Sequence, residues 1–250
     1  MPRDRNIARA LERQRDPSLP PSLELSCGSC PILNPAVPMR IRLEKHESPL
    51  PACPEPEDCP LRRFFAEAAA RGAPVDLDIG AGYGSFSRAR AALHPERRVL
   101  AIEQEAARVA RSDVAARIAG IRNLALLRAE MRWVLEYCIP QSSVAAAFVL
   151  FPDPWPKDRH ARNRFFRLSN AALLHKVLAP GGVVNAATDD EPYFGQILET
   201  MANAPGFEPT APESRSDAEK TDFERKFISQ GKRVFEAAWR KTRRAPAGAV

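Results

Sequence analysis

The sequence has no apolar run approaching the roughly 18 residues that a membrane-spanning helix needs. Met1 to Asp16 is charged throughout and lacks the apolar segment of a secretory leader. Both absences point to a cytosolic protein, in a compartment where thiols stay reduced. No stretch of the chain repeats another, which argues against a solenoid or a propeller. Cysteine is scarce after the first quarter: Cys27, Cys30, Cys53 and Cys59 lie early, and Cys138 stands alone. The nucleophile–base pairing of covalent catalysts has no counterpart here.

What remains is ordinary in bulk and uneven in detail. The 250 residues are 44% hydrophobic and 27% charged, enough for one sizeable α/β domain with an appendage. A net charge of +6 favours a polyanionic partner. Proline is concentrated early, since 12 of the 24 fall before residue 61. Such a stretch cannot be mostly helix or central strand, so residues 1–60 read as an irregular Pro/Cys-rich extension and 61–245 as the main domain. Within the extension, Cys27 and Cys30 with Cys53 and Cys59 can be drawn as a structural zinc site, with His46 as another ligand, or as an unliganded segment. Arg3, Arg5, Arg9, Arg13 and Arg15 form either an RNA-binding arm or a solvated helix.

From Leu61 the pattern alternates. Helices are expected over 61–71, 86–93, 106–118, 165–178 and 193–202, and strands over 75–79, 98–102, 124–127, 144–151, 183–187 and 233–239. Pro180-Gly181-Gly182 reads as a turn. The alternation predicts a doubly wound, mostly parallel α/β sheet, in which ligands bind beyond the carboxyl ends of the strands. Four of the five loops at those ends begin with or soon reach a carboxylate.

The first such loop, Asp78-Ile79-Gly80-Ala81-Gly82-Tyr83-Gly84, sets three glycines at alternate positions after a strand. Its GxGxG spacing departs from the dinucleotide fingerprint GxGxxG and suits the sugar and amino-acid portions of S-adenosylmethionine. Glu103 ends the next strand, where a carboxylate can accept from ribose hydroxyls, and Glu130 follows the third, within reach of an adenine amino group. An NAD-dependent oxidoreductase is the competing reading of these residues alone.

The stretch Phe151-Pro152-Asp153-Pro154-Trp155-Pro156-Lys157-Asp158-Arg159-His160-Ala161-Arg162-Asn163-Arg164 discriminates. Two prolines stiffen the backbone around Asp153, Trp155 offers a stacking surface, and the basic run suits phosphate contacts. With Thr188-Asp189, Tyr193 and Thr221-Asp222-Phe223-Glu224 following in order, the chain resembles the bacterial tRNA (guanine-N7)-methyltransferase family, whose block runs PDPWxKxRHxKRR. The resemblance covers roughly residues 75 to 240. Departures are Asp78 where the family usually has Glu, Glu130 where it usually has Asp, and Asn163 where it usually has a basic residue. Spacing alone also allows Thr221 to Glu224 to be a helix-capping box.

The resemblance implies a seven-stranded Rossmann-like fold and methyl transfer from S-adenosylmethionine to N7 of guanine 46 in tRNA. The implied cofactor contacts are Asp78, Gly80, Gly82, Gly84, Glu103, Glu130 and Asp153, with Asp153 also catalytic. Substrate contacts fall on Lys157, Arg159, His160, Arg162, Arg164, Asp189, Thr221, Asp222, Phe223 and Glu224. No metal, membrane or obligatory protein partner is implied, and the protein is expected to be a monomer or homodimer. A methyltransferase-like RNA-binding protein without activity is the further alternative.

Overall fold

The computed structural model describes Leu23–Glu24 and residues 60–242. The chain divides into two compact units, Met1–Ile139 and Pro140–Val250. The early cysteine pairs, His46 and the arginines of the first 16 residues lie outside the described residues.

In the first unit, α1 (Pro60–Ala70) leads into β2 (Val75–Ile79), α2 (Ser85–Leu93), β3 (Arg98–Glu103), α3 (Ala106–Ile118) and β4 (Leu124–Arg128). A two-residue strand, β1 (Leu23–Glu24), pairs with Ala125 and Leu126 at the outer edge. All the pairings are parallel, in the order β1-β4-β3-β2. Such strands are covered on both faces, so β2 and β3 are buried along their whole length, with Val99 to Ile102 of β3 continuously apolar and β2 carrying two aspartates, Asp76 and Asp78. Val99 and Ala101 join Ala91, Val109, Ala116, Leu124 and Leu126 in one cluster. Leu100 and Ile102 face the other way, as the two-residue period of a strand requires.

The most deeply buried charged residue of β2 and β3 is Asp76. Asp76, fully buried within β2, takes Arg90 Nε at 2.8 Å and a two-pronged contact from Arg97 at 2.5 and 2.6 Å. A carboxylate this deep is tolerable only because two guanidiniums neutralise and hydrogen-bond it. Nearby, Asn123 Nδ2 donates to the carbonyls of Ala91, His94 and Arg97 and fixes the turn between α2 and β3.

The second unit orders its strands β5 (Val144–Leu150), β6 (Leu178–Thr188), β8 (Phe235–Lys241) and β7 (Phe207–Thr210). β5 and β6 are parallel, whereas β8 runs antiparallel to both β6 and β7. Its helices are α4 (Leu168–Val177), α5 (Glu191–Ala202) and α6 (Asp222–Ser229). Leu174, Val177, Ile197 and Met201 are buried with Phe148, Val184 and Trp239.

Two boundaries differ from expectation for identifiable reasons. α4 starts at Leu168 rather than Phe165, because the carbonyls of Phe165 and Phe166 accept from the side chains of Asn170 and Gln196. Pro180-Gly181-Gly182 is a bulge inside β6, since Val144 opposes Leu178 while Ala146 opposes Val183. Gly182 cannot be replaced there without strain: a Cβ would lie 2.9 Å from the Ala179 carbonyl oxygen.

Candidate active site

The registers of the first unit bring its candidate residues to one end of the sheet. Ile79 pairs with Ile102 and Glu103 with Arg128, so the glycine loop, Glu103 and Glu130 all follow aligned strand termini. Gly80 and Ala81 donate to the Ile102 carbonyl, which folds the loop back across β3. All three glycines have left-handed backbones, with φ of 77°, 58° and 69°. Their uses differ. A Cβ at Gly84 would come within 2.0 Å of Ser112 Oγ on α3, so Gly84 permits close packing of α2 on α3. A Cβ at Gly80 or Gly82 would meet nothing within 4 Å, so the ground before those two is open. That open ground, floored by backbone and edged by a carboxylate, fits the sugar and amino-acid portions of S-adenosylmethionine.

The carboxylate is Glu103, and it is almost wholly buried. One of its oxygens accepts from Gly82 N–H at 2.8 Å and the other from Glu105 N–H at 2.9 Å. Each oxygen retains acceptor capacity, so Glu103 can fix the loop and still receive hydroxyl donors. Asp78, also buried, accepts from Ser87 Oγ and so ties the strand end to α2. Glu130 caps the turn that follows it, accepting from Trp133 N–H at 3.2 Å, and pairs with Arg132 at 2.8 Å. Its free acceptor capacity is correspondingly smaller.

The second unit holds the candidate substrate residues. β5 stops at Leu150, and Phe151 and Trp155 both take left-handed conformations, with φ of 53° and 43°. Each costs about 1–3 kcal/mol for a residue with a side chain, so the surrounding contacts must enforce them. The constraint on Asp153 is therefore larger than the prolines alone suggested. Asp153 itself is exposed between these two points. Burial raises the pKa of the nearby Tyr193 phenol, with a minor contribution from the Asp153 charge, and the phenol oxygen accepts from Phe166 N–H at 3.3 Å.

The basic run separates into two kinds of residue. Lys157, Arg159 and Arg162 are exposed on or beside a 3₁₀ turn spanning Asp158–Asn163. His160 instead sets its edge against Trp155, with ring centroids 5.7 Å apart. Arg164 turns inward: Nε donates to the Pro154 carbonyl at 2.8 Å and Nη2 to the Trp155 carbonyl at 3.1 Å. Its Nη1 donates to Gln196 Oε1.

The late motifs also gather within this unit. Thr221 Oγ1 accepts from Glu224 N–H at 3.0 Å, and the Glu224 carboxylate reaches back to Thr221 N–H, completing a capping box. Glu224 is buried and paired through both oxygens with Arg215 at 2.7 and 3.2 Å. Thr221 and Glu224 thus build the start of α6, while Asp222 and Phe223 are the exposed members of that four-residue box. The Phe227 ring of α6 stands 5.7 Å from Phe151 and stacks on Phe223. Lys232 lies 4.4 Å over that ring and pairs with Asp189 at 2.7 Å. Phe227, Lys232, Arg215 and Gln196 were not legible as site residues, because nothing in their sequence neighbourhood marks the distant partners they hold.

A family model described as "Putative methyltransferase" matches residues 72–237. A tRNA (guanine-N(7)-)-methyltransferase of Chromohalobacter salexigens is 36% identical over 181 residues, 71% of this chain and 74% of that protein. The enzyme of the same name from a Nocardioides species is 36% identical over 68% of this chain and 69% of its own. Among solved structures, the 16S rRNA methyltransferase KamB superposes with a TM-score of 0.52 at 21% identity, over 71% of this chain and 92% of its own. A 16S rRNA (adenine(1408)-N(1))-methyltransferase from Catenulisporales acidiphilia, solved with its cosubstrate, gives 0.51 at 17% identity, over 80% and 96%. These structural likenesses show the fold, which is that of Rossmann-like methyltransferases.

Fold and family model together define a methyltransferase of the Rossmann-like kind. Within that class, the chain belongs to the bacterial tRNA (guanine-N7)-methyltransferase family.

Proposed function

We propose that this protein methylates N7 of guanine 46 in tRNA. The observation that carries the reading is the 151–164 segment, where an exposed carboxylate stands between two left-handed residues and ahead of exposed cations. The names of its relatives and the net charge of +6 support the same substrate. A tRNA substrate places the reaction in the cytosol, and neither a metal nor a second protein is required for it; we expect a monomer or homodimer.

S-adenosylmethionine supplies an electrophilic methyl group, held in this reading by the Gly80–Gly84 loop, Glu103 and Glu130, with Asp78 supporting the loop. Guanine N7 carries an in-plane lone pair and loses no proton before it attacks. The chain therefore needs no strong general base, and its task is to orient the base in line with the methyl group. Positive charge develops on the guanine ring as N7 is alkylated. A fixed Asp153 can accept from the N1–H and N2–H₂ edge and stabilise that charge, an effect realised mainly in the transition state. Asp189 and the exposed Asp222 and Phe223 lie with the same group of residues and would orient the base. Lys157, Arg159 and Arg162 would meet phosphates.

The test is to incubate the protein with labelled S-adenosylmethionine and tRNA transcript lacking modifications, then identify the labelled nucleoside. The expected product is 7-methylguanosine, lost when guanine 46 is replaced by adenine. Label at another guanine would overturn the position, and label on another atom would overturn the reaction.

A further inference from the structure

We infer that Arg164 is a positioning residue for the segment that carries Asp153, rather than a contact for tRNA phosphate. This rests on the reading of Asp153 as the group that meets the guanine. Successive carbonyls along an extended chain point in opposite directions. The left-handed turn at Trp155 instead brings two consecutive carbonyls, those of Pro154 and Trp155, round to one guanidinium. The third nitrogen of Arg164 is held by Gln196 on α5, whose own amide donates to the Phe166 carbonyl at 3.2 Å. The guanidinium also lies 5.7 Å from the centre of the buried Tyr193 ring. Every nitrogen of the fork thus meets an oxygen of this chain, and the residue that ends the basic run serves the backbone one and two positions after Asp153.

The chemistry follows from the shape of the donor. Two converging carbonyl dipoles repel each other unless a cation lies between them, and the left-handed Trp155 gives them reason to swing apart. A planar fork with fixed N–H directions satisfies both carbonyls and Gln196 together. A lysine ammonium keeps the charge but cannot span the three oxygens in the same way. Without the fork, Trp155 relaxes towards an ordinary backbone conformation and Asp153 loses its fixed place.

Arg164→Lys separates the two roles, because it preserves the positive charge that a phosphate contact needs. We expect single-turnover methylation at saturating tRNA and cofactor to fall by about 10²-fold, the scale of a misplaced reacting group. The KM values and the salt dependence of tRNA binding should stay as in the unaltered protein. A second readout needs no activity: in protein labelled with fluorotryptophan, the Trp155 resonance, assigned by its loss in Trp155→Phe, should shift while those of Trp133 and Trp239 stay. Gln196→Leu, which removes the third anchor, should move the same resonance and lower the rate less, and it decides the matter if Arg164→Lys does not fold. Near-normal methylation by Arg164→Lys with an unmoved Trp155 resonance would overturn the inference. So would a salt slope reduced by about one in Arg164→Gln, which removes the charge, since that is the signature of a lost phosphate contact. If the unaltered protein transfers no methyl group to tRNA, the proposed reaction falls, while the fluorine spectrum still decides the role of Arg164.

Discussion

A carboxylate that is exposed in the free protein and pinned by its backbone is arranged to receive something. Asp153→Asn keeps the shape and most of the hydrogen-bonding capacity while removing the charge. The variant should bind S-adenosylmethionine normally and lose roughly 10²–10³ in turnover, the scale for removing one preorganised electrostatic group. Single-turnover assays at saturating tRNA and cofactor isolate that step, and a near-normal rate would reduce Asp153 to a structural residue. His175 is a residue of the opposite kind, at the end of α4 with its Nε2 buried and unpartnered. Burial, then the Lys241 ammonium, lowers its pKa below the ordinary value. The unfolded chain takes up a proton near pH 6.5 and the folded protein only further down, so the unfolded state binds more protons between those points. Stability is therefore full above about pH 6.5 and falls as the pH drops through that window. Melting curves should show a steeper loss from neutral to mildly acid pH in the unaltered protein than in His175→Leu; equal losses would exclude the ring as the cause.

The α6 capping box offers a prediction about one element. Thr221→Ala removes the acceptor for Glu224 N–H and should cost about 1 kcal/mol of stability, the usual worth of an N-cap. Cofactor affinity should not change. If the variant melts normally and yet fails to methylate, Thr221 touches substrate and the capping role is secondary. This element also shows what the sequence could and could not disclose. Strands β2, β3, β4 and β5 were readable to within a residue: the cores of β3, β4 and β5 are continuously apolar because both their faces are buried, and β2 is bounded by Pro74 and the glycine loop. β7 was not readable, being a short, half-exposed edge strand containing Pro209, and of α6 only the capping box at its start was legible. The same limit governs the site. Asp153 and the glycine loop are marked by local spacing, whereas the inward turn of Arg164 depends on Gln196 and on two carbonyls that composition cannot reveal.

For the whole molecule, the basic character invites a test of how the partner is held. With Arg164 turned inward, the exposed cations of the 157–164 run are Lys157, Arg159 and Arg162. Neutralising Arg159 and Arg162 together should weaken tRNA binding and flatten its salt dependence by about one slope unit for each lost phosphate contact. Binding titrations across salt concentrations measure this, and an unchanged slope would make the run an ordinary solvated face. The order of the strands in the first unit has a consequence during synthesis. β2, β3 and β4 are laid side by side in the order in which they leave the ribosome, so each can dock on its predecessor as it appears. β1 cannot, because Leu23 pairs with Ala125, which is made about 100 residues later. At about 5–20 residues per second, that segment waits roughly 5–20 s with its edge unclaimed, long enough for a ribosome-associated chaperone to be its first partner.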